Sequence, residues 1–368
     1  MLTVEPAAGR VSAAPKSQER LAVLDGLRFV AALAVVLYHF TARHSSVWGH
    51  DPGTVFPRLH QLTAFGAFGV DLFFVISGFV ILMTAWGRTL PKFVASRAGR
   101  LFPAYWTSVL LTGALLTVIW KEGSRRHLTD VMGNVSMTQA AFGIPHVDGV
   151  YWTLWAELRF YVLVAILIAV GITATRLVAF ASLWPVVAGI AHQTGSDFVA
   201  SLLIFDYAPL FAGGMMLYCV YRDPKNVVCW AVLIQNVTIA AVWSGGITAA
   251  SIASNSVASP GPLDAAVVVV ACFVAVGIAV LTRVRQITWR WLPGVGALTY
   301  PLYLVHEYWG WWFISIGHER LGVFATLAAS TALVVIMAWL IHRFVEAPSG
   351  PTLRRAVLRS LEALNSDR

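Results

Sequence analysis

Residues 21–40, LAVLDGLRFVAALAVVLYHF, form an apolar run of the length that crosses a bilayer as a helix, since about 20 residues at 1.5 Å each match a hydrocarbon core of roughly 30 Å. Similar runs recur, and the expected spans are 21–41, 63–86, 103–120, 153–171, 174–192, 199–220, 227–247, 262–281, 294–316 and 321–344. Composition points the same way. The chain is 58% hydrophobic and only 12% charged, far from the averages of a water-soluble domain. A backbone in lipid has to satisfy its own hydrogen bonds, and the short alternating segments of a barrel are missing. The sequence therefore predicts an all-α, polytopic transmembrane bundle of about ten membrane-spanning helices. Around one transmembrane domain over 21–348 it predicts a disordered leader over 1–20, polar and carrying Pro6 and Pro15, and a short cytoplasmic tail over 349–368.

Basic residues set the expected orientation. Arg10, Lys16 and Arg20 precede the first span, and Arg88, Lys92, Arg97 and Arg100 follow the second. Arg176, then Arg222 with Lys225, then Arg283, Arg285 and Arg290, and finally Arg343, Arg354, Arg355 and Arg359 continue on alternate connections. The positive-inside rule puts these segments and both termini in the cytoplasm. It also accounts for much of the net charge of +8 without a nucleic-acid partner. The connection over 121–150 runs against the trend, with Lys121, Arg125 and Arg126 on a loop that has to lie outside. The first span is too long for a signal-peptide core and contains Asp25 and Arg28, so it is read as a retained membrane helix. Cys219, Cys229 and Cys272 lie in or beside apolar spans without metal-ligand spacing, and are read as packing residues with no disulfide.

Ionisable residues inside membrane spans are costly, and they face a bundle interior or a wet cavity. Asp25 and Arg28 are three apart and can pair on one helical face. His39 lies about 21 Å beyond Asp25 along the axis, toward the outer end; alone, it fits a packing residue or a catalyst. In GVDLFFVISGFVI, residues 69–81, Asp71 stands among aromatics near the Ser77–Gly78 pair, which suggests a buried polar contact and a close helix crossing. Gly213–Gly214 permits another. In FVASRAGRLFPAYW, residues 93–106, Arg97 and Arg100 are read on a cytoplasmic loop ahead of Pro103, which can begin the next helix. The pair serves either as a positive-inside anchor or as a fork for phosphate oxygens, which planar guanidinium groups grip bidentately. In VYWTLWAELRFY, residues 150–161, Glu157 stands near Trp152 and Trp155 at the outer face, as His39 does. A carboxylate beside an imidazole raises its proton affinity and fixes its tautomer, so a His39–Glu157 dyad is one pairing. Arg159 is the competing partner for Glu157, although positions two apart on a helix do not face each other. His306 and Glu307 in the ninth span, and His342, Arg343 and Glu346 at the end of the tenth, are supporting or anchoring groups.

Taken in order, LDGLRFVAALAVVLYH, GVDLFFVISGFVI, RAGRLFPAYW, WTLWAELRFY and YPLYLVHEY resemble successive motifs of the integral-membrane acyltransferase-3 family, and together they cover roughly residues 20–348. That family includes O-acetyltransferases of polysaccharides, lipopolysaccharide O-antigens and some antibiotics. The resemblance implies a membrane-bound O-acyltransferase of the bacterial inner membrane. It implies transfer of an acyl group, acetyl by default, from cytoplasmic acyl-CoA to a hydroxyl of an extracytoplasmic glycan, glycolipid or glycosylated metabolite. His39 matches the family's essential first-helix histidine and Glu157 the acid of its tryptophan-rich motif, which makes them the catalytic candidates. Arg97 and Arg100 match the arginine pair that the family directs at acyl-CoA, and this decides for the phosphate fork. Asp25, Arg28, Asp71, Ser77, Tyr105, Trp152, Tyr303 and His306 are structural or supporting candidates. No permanently bound cofactor and no metal is expected: acyl-CoA, by default acetyl-CoA, is the donor substrate, and the bilayer and the acceptor are the other partners. Leu158 and Arg159 depart from the polar or acidic residues common after the acid. Since the sequence ends soon after its last span, either this chain completes the transfer alone or a separate protein does so. The competing readings are a secondary transporter, a subunit that translocates acyl groups for a separate transferase, and a non-enzymatic scaffold.

Overall fold

Each long apolar run closes its peptide hydrogen bonds within itself as a helix, the form that a lipid-embedded backbone requires. The computed structural model describes residues 21–366 other than 121 and 125, so the expected leader over 1–20 lies outside the described residues. The long helices are α1 (Ala22–Thr41), α2 (Gly69–Ala85), α3 (Leu90–Ala114), α4 (Trp152–Val170), α5 (Ala174–Gln193) and α6 (Ala208–Arg222). They continue as α7 (Val227–Asn255), α8 (Pro262–Leu281), α9 (Leu292–Leu321), α10 (Val323–Ile341) and α11 (Ala347–Ser366). Among the described residues there are 8 candidate membrane spans by length and apolarity: α1, Leu59–Ala85, Leu90–Ile119, Gly149–Val170, α5, α7, α8 and Val323–Leu364. The other two expected spans fall on α6 and α9, which are inner helices. α6 is short, at 15 residues, but buried throughout from Ala208 to Val220. α9 runs for 30 residues and carries the polar His306 and Glu307 in its buried middle.

Two expected boundaries are corrected. The sequence reading put Arg97 and Arg100 on a loop and began a helix at Pro103, whereas α3 starts at Leu90 and holds Pro103 inside it. A proline withholds the N–H that would serve the carbonyl four residues back, here Gly99. The Gly99 carbonyl instead lies against Gly350 of α11, where a Cβ would stand 2.8 Å from its oxygen. Membrane helices keep interior prolines when a neighbouring helix covers the freed group in this way. Next, the expected span over 199–220 is broken into Asp197–Leu202 and α6. The expected tail over 349–368 falls, as far as residue 366, on α11, which is joined to α10 through a π-helical turn at His342–Glu346 and packs along α3.

The inner helices approach closely through small residues, as membrane helices do where no water-driven force pulls them together. α6 lies between α2 and α7, and α9 lies against α1 and α10. Where α2 crosses α6, a Cβ at Gly78 or Gly214 would stand 3.0 Å from the other's Cα and collide with the carbonyl of Phe211 or Val75. Beside this crossing Asp71, fully buried on α2, accepts a 3.1 Å hydrogen bond from Thr248 of α7. Overpacking a core typically costs about 1–3 kcal/mol, and backbone obstacles yield least. Gly214→Val is therefore expected to lower stability by about 3 kcal/mol, read as a fall in the thermal midpoint of the detergent-solubilised protein. Gly246→Ala, at a helical position with nothing within 4 Å of an added Cβ, serves as the control and should leave the midpoint in place.

Candidate active site

Two cavities lie within the bundle and share two lining residues. The larger, about 320 Å³, is lined by Arg28 of α1, Ser77 of α2, Ser96, Arg97 and Arg100 of α3, Glu157 and Tyr161 of α4, and Tyr300 and Tyr303 of α9. Helical spacing projects Arg97 and Arg100 into one space, since residues three apart share a face. Arg97 lies 5.9 Å from the ring centroids of both Phe93 and Tyr161, and its Nε is buried without a hydrogen-bond partner. Arg100 is paired with Glu346 of the π turn, which also binds His342 at 3.0 Å. Glu157 accepts a 3.1 Å hydrogen bond from Ser77. The wall thus carries three guanidinium groups and one carboxylate, a site shaped for an anion.

The smaller cavity, about 160 Å³, is lined by Tyr38 and His39 of α1, Arg43 just after it, Trp152 of α4, Tyr207, Thr248, Ser251 and Asn255, with Val70 and Tyr303 common to both cavities. Tyr303 is fixed at this waist by hydrogen bonds involving its hydroxyl, with Thr153 at 2.9 Å and the Val150 carbonyl at 3.3 Å. α1 runs beside both spaces. Arg28 and His39 are eleven residues apart, three helical turns and about 16 Å on the same face, so one helix carries a cation into the first cavity and an imidazole into the second.

His39 is 5% exposed and held on every side. Its Nδ1 lies 2.8 Å from the Val35 carbonyl and 3.3 Å from His306 Nε2, and His306 Nδ1 lies 2.8 Å from the Tyr303 carbonyl. A carbonyl only accepts, so both rings carry their proton on Nδ1 and keep Nε2 as an acceptor. His39 Nε2 then receives an N–H from Arg43 at 3.1 Å, with Glu307 Oε2 at 4.0 Å. Glu307 also pairs with Arg43 at 3.2 Å, and Asp148 lies against it; Glu307 Oε2 and Asp148 Oδ2 are both buried.

The expected His39–Glu157 dyad does not form. Glu157 lies in the larger cavity with Arg97 and Arg100, and the carboxylate beside His39 is Glu307. The physical reason is the connection over 126–150, whose end packs against α9. Gly149 touches Glu307, where a Cβ would stand 2.6 Å from its Oε2. α4 therefore starts beside the His39 cavity, and Glu157 falls about a turn and a half farther along it. Tyr105 and Asn134 hold that connection: the Tyr105 hydroxyl donates to the Asn134 carbonyl at 2.7 Å, and the Asn134 side chain bridges Pro145 and Val147 at 2.9 and 3.1 Å. Nearby, burial and then the charge of Arg126 hold the His146 imidazole below its usual range, so it stays neutral and accepts from Gln139 at 2.7 Å. Of the remaining candidates, Asp25 packs on Gly296 of α9, Asp71 and Ser77 brace α2, Trp152 walls the smaller cavity, and His306 backs His39. Arg159 turns away from Glu157 to Ser201 and the Trp155 ring. Arg43 is the site residue that the sequence reading missed. Its signal was the four-residue step from His39, which puts both on one face.

One cavity is thus basic and the other holds an imidazole, with a carboxylate behind it, and the two share Val70 and Tyr303. Residues 21–343 match the family model described as an acyltransferase domain, and the chain belongs to this acyltransferase-3 family. It is 47% identical over 60 residues to the exopolysaccharide production protein ExoZ of Rhizobium meliloti, covering 15% of this chain and 19% of that protein. It is 31% identical over 103 residues to the acyltransferase MdmB of Streptomyces mycarofaciens, covering 28% and 26%. It is also 26% identical over 168 residues to the peptidoglycan O-acetyltransferase OatA of Listeria monocytogenes, covering 40% and 24%. The matched region thus spans about a quarter or less of each relative's length. No solved structure matches the chain. Asn134 offers a direct check on how the site is built: leaving buried partners unsatisfied costs about 1–3 kcal/mol. Asn134→Ala is expected to loosen the connection, read as faster amide hydrogen exchange over residues 126–150 with little change in α7 and α8.

Proposed function

We propose that this protein transfers an acyl group, acetyl by default, from acyl-CoA to a hydroxyl of a glycan or glycosylated acceptor, each substrate entering from a different face of the inner membrane. One observation carries the reading: the arginine-lined cavity and the His39 cavity abut at Val70 and Tyr303. A CoA thioester has anionic phosphates at one end and its reactive carbon at the other, joined by a slender pantetheine arm. Arg28, Arg97 and Arg100 suit the phosphate-bearing end, and the arm reaches past Glu157 to the waist. The bias of basic residues supports a cytoplasmic position for this end. The names of the relatives, exopolysaccharide production and peptidoglycan O-acetylation, support a glycan acceptor on the other face.

In the proposed step the acceptor hydroxyl enters the smaller cavity and its oxygen attacks the thioester carbon as His39 Nε2 takes the proton. The new C–O bond forms, the C–S bond breaks, and the imidazolium returns the proton to the departing CoA thiolate. Glu307 at 4.0 Å from Nε2 stabilises the imidazolium, and Arg43 turns the N–H it gives Nε2 toward the developing oxyanion. Glu157 acts on the donor side, orienting the arginines.

General-base catalysis is worth about 10²–10⁴ in rate. His39→Ala is therefore expected to lose acyl transfer by that factor while still binding CoA, read by mass spectrometry of surface glycans from cells carrying each variant and by calorimetry on purified protein. Full glycan acylation by His39→Ala would remove the base. Glu307→Gln and Glu157→Gln separate the two carboxylates. The first is expected to lower turnover and shift the pH profile, and the second to raise the donor KM chiefly; the reverse pattern would reinstate Glu157 as the histidine's partner.

A further inference from the structure

The larger cavity, at about 320 Å³, is near the small end of ligand sites, which run from about 300 to 1,000 Å³. It has room for an acylated pantetheine arm and not for the nucleotide as well, so the nucleotide has to lie at the mouth. α11 packs along α3, the helix that carries Arg97 and Arg100 of that cavity. Its residues 347–366 follow the part of the chain that the family model matches. Gly350 crosses Gly99, the residue between Arg97 and Arg100, so closely that a Cβ at Gly99 would stand 2.6 Å from the Gly350 carbonyl and 2.8 Å from Arg354 Cβ. The exposed Arg354 is thereby set against the turn of α3 that carries the two cavity arginines. Arg88, on the connection between α2 and α3, completes the group: burial, and then the like charges of Arg354 and Arg97, lower its proton affinity. The acid nearest this end, Glu346, is already taken by Arg100 and His342. Like charges drawn together in this way are the footprint of an anion with several negative oxygens.

Building on the acyl-CoA reading above, we propose that Arg354 of α11, with Arg88, binds the 3′-phosphate of the CoA nucleotide at the mouth of the donor cavity. α11 is then part of the donor site, and the Gly99–Gly350 crossing is what delivers Arg354 to it. A contact so far from the reacting carbon holds ground state and transition state equally, so it sets donor affinity and leaves turnover alone. An anionic lipid headgroup offers the same phosphate chemistry, and the test has to tell the two apart.

The measurement is binding of CoA and of 3′-dephospho-CoA by calorimetry, with the full chain in phosphatidylcholine nanodiscs and again with phosphatidylglycerol added. The unsubstituted protein should bind CoA more tightly than the dephospho form, by roughly three- to ten-fold for a partly exposed charge-assisted contact. Arg354→Ala should bring that ratio to about one, and Arg354→Lys should restore part of it. Arg97→Ala should weaken both ligands together, since its guanidinium lies deeper. Equal binding of both ligands by the unsubstituted protein would overturn the assignment and leave the acyl-CoA reading intact, as would an Arg354→Ala effect that is the same for both or appears only with phosphatidylglycerol. Binding of neither ligand would overturn the donor reading and this assignment with it.

Discussion

A charge in hydrocarbon has to meet an opposite charge, a hydrogen-bond partner or a wet cavity, and this requirement organises the whole bundle. Arg28, Arg97, Arg100 and Glu157 face one cavity, and His39 and Arg43 face the other, with Glu307 bonded behind them. Asp71 is met by Thr248. The helices α7, α8 and α10 turn apolar residues outward, as Ile234, Val267 and Ile336 do. Much of the polar chemistry is thus gathered around these two cavities.

Backbone proximity is what makes that gathering possible. The Gly78–Gly214 crossing brings α2 hard against α6, and the hydroxyl next to Gly78, that of Ser77, is the one that reaches Glu157. α1 and α9 are matched in the same way: Gly296 seats Asp25, and Gly310 seats Phe40. Those two helices carry Arg28 and His39 on one side, and Tyr303, His306 and Glu307 on the other. Their tight seating lets a tyrosine close the space between an anion site and an imidazole. The same logic recurs at Gly99 and Gly350, where a proline-freed carbonyl is covered by the last helix.

Much of this was legible in the sequence. Apolar run length gave the bundle, and the paired glycines announced close crossings; Arg97 and Arg100 were read on a loop, and it is α3 that puts them on one face. The histidine's partner was not legible, because Glu307 comes from a distant part of the chain and meets His39 only in the folded bundle, with Asp148 of the connection over 126–150 against it. Hydropathy sets where a helix becomes apolar, not which side chains of other helices it faces, and that is why Glu157 was paired with His39. Pro103 misled for a related reason. A lone sequence cannot show that another helix covers the carbonyl a proline leaves unserved.

The central claim is that the two cavities open to different sides and close against each other at Tyr303. Sealed vesicles of known orientation, carrying Ser96→Cys or Ser251→Cys in a background without the native cysteines, test it with a membrane-impermeant maleimide. Ser96 lines the arginine cavity and Ser251 the histidine cavity. The account predicts labelling at Ser96→Cys from the cytoplasmic side alone, with protection by CoA, and labelling at Ser251→Cys from the other side alone. Labelling of both positions from one side would contradict it.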